Sequence, residues 1–370
     1  MIVADPARVR GDCYYGALRM SPDTTGRRVM HDTIAGNNRK VALWLFILCA
    51  LVFAMIMLGG VTRLSGSGLS IVDWQPVMGV LPPLSAEDWR QTFEMYRQSP
   101  EFQKVNAHMT VEDFKGIFWL EYLHRLLGRL IGLAFLLPFV YFLWRGYIQK
   151  REWPKYGLMF VLGGLQGVLG WYMVKSGLVD NPRVSQYRLT AHLIAAIAIY
   201  AYMFWIALSL VARSDKAGVH PWFSRTAMLA VLVLTTVVSG GFVAGLDAGL
   251  IYNTFPKMGD DWIPPDVSAL SPFWLNFFEN MAAVQFNHRI LALTTFSVIV
   301  IYWWFARKAE MPARLQSGVN ALLHTAVLQV ALGISTLLLV VPLLLAAAHQ
   351  AVAVLLFTVV LYLCHGLRRA

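Results

Sequence analysis

Apolar runs of about 20 residues, long enough at 1.5 Å per residue to cross a hydrocarbon core, alternate along this chain with polar segments. They begin near Val41, Ile117, Gly157, Leu189, Phe223, Met281, Val319 and Leu343, the last two separated only by a turn around Val341 and Pro342. The pattern predicts eight membrane helices. Two polar stretches are longer, roughly 63 to 116 and 246 to 280, and each is expected to hold short interfacial helices. SAEDWRQTFEMY, from Ser85, opens with a serine cap followed by acids and has apolar residues at helical spacing. The first forty residues are polar and mix Arg8, Arg10, Arg19, Arg27 and Arg28 with Asp5, Asp12, Asp23 and Asp32. They contain no apolar core with a cleavage site, so residues 1–40 are expected to be a flexible cytosolic tail rather than a signal peptide.

Composition agrees with this reading. Of 370 residues, 57% are hydrophobic and 14% charged, too apolar for a soluble domain of this length. The fold class is therefore an all-α polytopic membrane protein in contact with lipid. The formal charge of +10 does not indicate a nucleic-acid partner, because the basic residues cluster between apolar runs. Arg39 and Lys40, Arg145 to Lys155, Arg213 to Arg225, Arg307 to Arg314, and Arg368 and Arg369 all fall on one side. The positive-inside rule makes that side, and both termini, cytoplasmic. Cys13, Cys49 and Cys364 show no CxxC spacing, so neither a disulfide framework nor a cysteine metal site follows.

The chain also repeats. GGVTRLSGSGLSIVDWQPVMG from Gly59 is echoed by GGFVAGLDAGLIYNTFPKMG from Gly240, LHRLLG at 123 by NHRILA at 287, LQGVLG at 165 by LQVALG at 328, and TAHLIAA at 190 by AAHQAVA at 347. Four echoes in one order predict two tandem, pseudo-twofold four-helix bundles, residues 41–212 and 223–370, joined by a cytosolic linker at 213–222. Four helices per unit make the repeats parallel, unlike the inverted repeats of many transporters.

The repeat places His124, His192, His288 and His349 on the second and fourth helices of each unit, within two to three turns of the outer end. A lone intramembrane histidine most often hydrogen-bonds a neighbouring helix; four at equivalent places suggest more. Small residues follow one turn on, at Gly128, Ala196, Ala292 and Ala353, leaving room beside each ring, though they also serve plain helix packing. Two imidazoles facing each other in an apolar bundle suit a bis-histidine haem, whereas zinc or copper would want further ligands. One haem per unit is the simplest fit.

The units differ at one turn. Glu121 precedes His124 by three positions, and its counterpart before His288 is Gln285. A buried carboxyl can take or give a proton or stabilise positive charge, which suggests a reactive first half and an electron-transfer or structural second half. Pairing of Glu121 with Arg125 is the plainer reading, and the two are compatible. Arg125 and Arg289 follow the histidines and could bind haem propionates or snorkel to outer headgroups.

Taken together, GGVTRLSGSGLSIVDWQPVMG, EYLHRLLGR, RLTAHLIAA, FNHRIL and AHQAVA resemble the haem A synthase family over about residues 39 to 366. The resemblance implies an enzyme of the inner (plasma) membrane with its long loops and haem sites toward the periplasm. It implies that His124 and His192 place the substrate haem O, that His288 and His349 ligate haem b, and that Glu121 is catalytic. The implied reaction oxidises the C8 methyl of haem O to the formyl of haem A. Partners in that setting would be haem O synthase and cytochrome oxidase assembly factors. The cysteine pair that some members carry in the outer loops is missing here. Two other function classes stay open at this stage: a dihaem b-type electron carrier, and a transporter with a histidine proton relay.

Overall fold

A computed structural model describes residues 24–72, 81–178, 182, 184–212 and 218–368, with side chains from residue 36 onward. Residues 1–23, residues 73–80 with the last third of the first long motif, residues 179–181 and 183, residues 213–217 of the linker, and residues 369–370 lie outside the described residues.

Ten α-helices are described: α1 (Thr24–Leu64), α2 (Ala86–Arg97), α3 (Val111–Trp144), α4 (Trp153–Gly177), α5 (Gln186–Val211), α6 (Phe223–Gly245), the single turn α7 (Asn276–Glu279), α8 (Met281–Ala306), α9 (Ala313–Leu338) and α10 (Leu343–Leu367). Eight of them, all but α2 and α7, are long and apolar enough to cross a membrane, α1 by its segment Gly36–Leu64. The eight predicted spans are present, and no strand occurs among the described residues. Helix α1 starts at Thr24, inside the segment expected to be a tail.

Each helix keeps the neighbours that its counterpart keeps. Helix α1 packs on α3 and α5, and α4 on α3 and α5; likewise α6 packs on α8 and α10, and α9 on α8 and α10. Between the two groups the contacts are α5 with α6, α1 with α10, and α5 with α10. An approximate twofold exchange of the groups leaves this list unchanged. Buried apolar side chains from both groups, among them Leu45, Leu48, Ile197, Leu229, Ile299 and Val360, form one continuous core. Large apolar residues on the outer faces stay exposed, such as Leu137, Val140, Val231 and Ile301, as lipid-facing positions require.

The ends of the bundle differ in chemistry. At one end Arg225 lies over Trp222, Arg307 over Trp303 and Trp304, Arg368 over Trp205 and Lys40 over Tyr147. Backbone contacts tie the loops together there, with the His220 N–H donating to the Leu367 carbonyl at 2.9 Å. Stacked cation and aromatic side chains suit the headgroup level.

The opposite end carries the long loops. Helix α2 forms where SAEDWRQTFEMY predicts it: Ser85 and Asp88 make a reciprocal capping box. Thr110 and Asp113 make a second one, which starts α3 at Val111 rather than near Ile117. The added turns of α3 pack Phe114 against Phe93 and Tyr96, and Phe118 just beyond them meets Trp89. His124 consequently sits thirteen residues into α3, while His192, His288 and His349 sit six or seven residues into their helices. Among the described residues, this aromatic cluster is built on the extended start of α3, whereas α8 begins at Met281 with no such extension.

Candidate functional site

The four histidines lie on α3, α5, α8 and α10, and each ring rests on a glycine of the adjacent helix. A Cβ added at Gly59 of α1 would meet His124 Cε1 at 3.0 Å, and one at Gly170 of α4 would meet His192 Cε1 at 3.0 Å. In the second half Gly240 of α6 gives 3.2 Å to His288 Cε1, and Gly333 of α9 gives 2.8 Å to His349 Cε1. A side chain at any of these positions would push against an imidazole edge. The glycines end or open the repeated motifs already quoted, but their pairing with the histidines is a tertiary contact that no spacing announces.

His124 and His192 stand on helices that both pack on α1 and α4, and His288 and His349 on helices that both pack on α6 and α9. The pairs thus form inside each half. Glutamines of the LQ echoes stand beside them: Gln166 donates to the His192 carbonyl at 2.8 Å, and the Gln329 amide lies 3.3 Å from His349 Nε2. Among the described residues no cluster of three or more His, Cys, Asp and Glu side chains is assembled. Two imidazoles without a third donor, each on a glycine floor and half-buried, fit axial ligation of a porphyrin iron, whose other four donors are the macrocycle's own.

The glycine following each floor glycine serves the seam between halves. A Cβ at Gly60 would meet the Gln350 side chain of α10, next to His349, and one at Gly241 would meet Thr190 Oγ1 of α5, two residues before His192, at 3.0 Å. Gln350 also donates to the Ile56 carbonyl at 2.8 Å. At the loop end Arg63 pairs with Asp247 at 2.9 Å.

Glu121 is 3% exposed and fully engaged. One oxygen accepts from Ser70 Oγ and from the Ile71 N–H, both at 2.8 Å; the other accepts from Arg125 Nη2 at 2.5 Å and Nε at 3.1 Å. Arg125 Nη2 also donates to the Ile71 carbonyl at 2.9 Å. The repeat reproduces half of this arrangement. Arg289 Nη2 donates to the carbonyl of Tyr252, the counterpart of Ile71, at 2.7 Å, and Gln285 donates to the same oxygen at 3.1 Å. Counting from the glycine pairs, Ser70 corresponds to Ile251, so the carboxyl and the hydroxyl that binds it are missing together. Pairing of Glu121 with Arg125 is present. Both arginines turn onto the long loops, where their guanidinium groups pin the loop to the helix.

Glu101 sits beside the aromatic cluster of the first half, 7% exposed, accepting from Tyr96 Oη at 3.3 Å, while Asn106 donates to that hydroxyl at 2.8 Å. Burial raises its carboxyl to about 7, and the Glu121 charge adds to the rise. Nothing in the linear pattern marks it. Two histidines outside the pairs have ordinary partners: His220 Nε2 lies 3.1 Å from the Glu310 carbonyl, and His365 Nε2 lies 3.0 Å from Ser209 Oγ with its ring edge-on to Trp205. Cys49 and Cys364 are free and buried.

Fold and site together define a polytopic membrane protein with two sets of four long helices of matching neighbours, each set carrying one histidine pair and one arginine-pinned loop. Comparison with known proteins narrows this. The family described as Cytochrome oxidase assembly protein (COX15-CtaA) matches residues 42–361, and the chain belongs to it. It is 54% identical to the Heme A synthase of Nitrosospira multiformis, over 90% of this chain and 94% of that protein. It is 48% identical to Heme A synthase COX15 of Arabidopsis thaliana, over 90% of this chain and 75% of that protein. With Heme A synthase COX15 of Homo sapiens the identity is 43%, over 98% of this chain and 93% of that protein.

Proposed function

We propose that the chain is a haem A synthase of the inner (plasma) membrane, with haem O as substrate and its long loops toward the periplasm. The net reaction replaces the C8 methyl by a formyl group. The change is a four-electron oxidation of that carbon with one oxygen added; written with water as the oxygen donor it releases four protons and four electrons, the electrons passing to an acceptor outside this chain, so the site must both anchor a haem and move protons. In this reading residues 41–212 form the substrate half, with His124 and His192 holding haem O. Residues 223–370 form the second half, where His288 and His349 hold haem b, which supplies one-electron chemistry when bound.

The observation that carries the reading is the Glu121 arrangement beside His124, absent from the otherwise matching second half. Glu121 is held at four contacts by Ser70, Ile71 and Arg125, so its position is fixed before any substrate arrives. Its role is to hold a proton released at the reacting carbon or to balance positive charge there. Arg125 keeps the carboxyl oriented and closes the 65–72 loop over it, which limits water entry. Gln285 has the same shape and no charge to offer, which suits a half that only carries electrons. The aromatic cluster from α2 and the start of α3 covers the loop end of the reactive half.

Co-expression with a haem O synthase, followed by pigment extraction and chromatography, tests the proposal. A formyl haem appears with the wild-type chain, and Glu121→Gln keeps bound haem while losing the formyl product. Bound haem b with no formyl product from the wild-type chain would instead mark a dihaem electron carrier.

A further inference from the structure

His288 differs from the other three histidines in one contact. Its Nδ1 lies 2.8 Å from Ser239 Oγ, whereas Nδ1 of His124, His192 and His349 is buried without a hydrogen-bond partner. The direction of that bond follows from the serine's other neighbour. Ser239 Oγ is 2.7 Å from the Thr236 carbonyl oxygen, which can only accept, so the single hydroxyl proton is committed there. The imidazole must then donate its Nδ1–H to Ser239. Its free lone pair is left on Nε2, the nitrogen available to a metal.

The first half lacks this device on the same scaffold. Ser239 immediately precedes Gly240, and the residue preceding Gly59 is Leu58. The two glycines meet their histidine rings alike, at 3.0 Å from His124 and 3.2 Å from His288. Ser239 is itself well anchored: Thr236, whose carbonyl it binds, also joins α6 to α8 through a 2.7 Å contact between Thr236 Oγ1 and Thr295 Oγ1.

We infer that Ser239 is a positioning residue that makes His288 a firmer iron ligand than His124, so that the second half retains its haem while the first exchanges one. The inference rests on the haem reading given above. A ligating histidine that donates its second ring N–H is fixed in tautomer and orientation and is the more basic donor, and losing such a partner costs about 10- to 100-fold in metal affinity. A half that must admit a substrate haem and release a product haem needs the looser ligand, and Leu58 provides no acceptor.

The full-length protein, purified with haem b and without a source of haem O, gives two readouts: haem transfer to apomyoglobin and the midpoint potential. Ser239→Ala should release haem about 10-fold faster and raise the potential, because a weaker imidazole donor stabilises ferric iron less. Ser239→Thr should restore both. Leu58→Ser in protein loaded with haem O should slow transfer from the first half by a similar factor, and it tests the idea even if Ser239→Ala fails to fold. The inference is overturned if Ser239→Ala matches wild type in both rate and potential while His288→Ala loses haem, or if Leu58→Ser leaves transfer unchanged. If His288→Ala itself keeps the wild-type haem content and spectrum, the underlying haem assignment is what fails.

Discussion

Gly333→Ala introduces the smallest possible change and should release haem. The new Cβ would sit 2.8 Å from His349 Cε1 and 3.4 Å from Nδ1, and the first distance is inside ordinary van der Waals contact. The obstacle is a ring on the neighbouring helix, not the far end of a flexible chain, so relief requires moving the imidazole or the α9–α10 packing. Overpacking of this kind costs about 1–3 kcal/mol. If the ring yields, that strain falls on iron ligation and weakens haem retention by roughly 5- to 150-fold. Haem per polypeptide after purification, with the rate of haem transfer to apomyoglobin, reads the effect. Gly163→Ala is the control, because an added Cβ there meets nothing within 4 Å. Full haem content and an unchanged spectrum in Gly333→Ala, or equal loss in Gly163→Ala, would refute the idea that glycine floors seat the ligand rings.

Three further outcomes are expected. Glu121→Gln should lower formyl-haem yield by about 10²- to 10⁴-fold, the range for a general acid–base group, while haem content by pyridine haemochrome stays at the wild-type level. Arg125→Ala leaves the buried Glu121 carboxylate without its ion-pair partner and should cost about 3–5 kcal/mol, seen as a lower unfolding temperature in detergent that Glu121→Gln partly restores. The Glu101 carboxyl, raised by burial from 4.5 to about 7, contributes stability that is full below pH 4.5 and is lost as pH rises through about 7. That span is worth about 3 kcal/mol, and Glu101→Gln should flatten the unfolding-temperature profile across it.

The sequence makes the membrane fold legible because hydrocarbon imposes one rule on every span: apolar over about 20 residues, with backbone groups bonded within the helix. The helix at Ser85 was equally readable, since its capping box is local. The same signal at Thr110 and Asp113 marks the true start of α3, but the apolar run beginning near Ile117 masks it. The histidines stood out because the repeat compares each with a twin. Their glycine floors did not, since Gly59 touches His124 and Gly333 touches His349 only after separate helices pack. The enclosure of Glu121 by Ser70 and Ile71 spans some fifty residues, and Ser239 reaches His288 across a similar separation. Such contacts follow from helix packing, and no local propensity encodes them.

The most direct measurement is haem content and type for the wild-type chain and for His124→Ala, His192→Ala, His288→Ala and His349→Ala, each co-expressed with haem O synthase. The account predicts that the wild-type chain holds haem b together with haem O or its formyl product. The first two variants should lose the substrate haem and keep haem b, and the last two should lose haem b. A wild-type chain that binds no haem, or four variants that keep the wild-type complement, would contradict it.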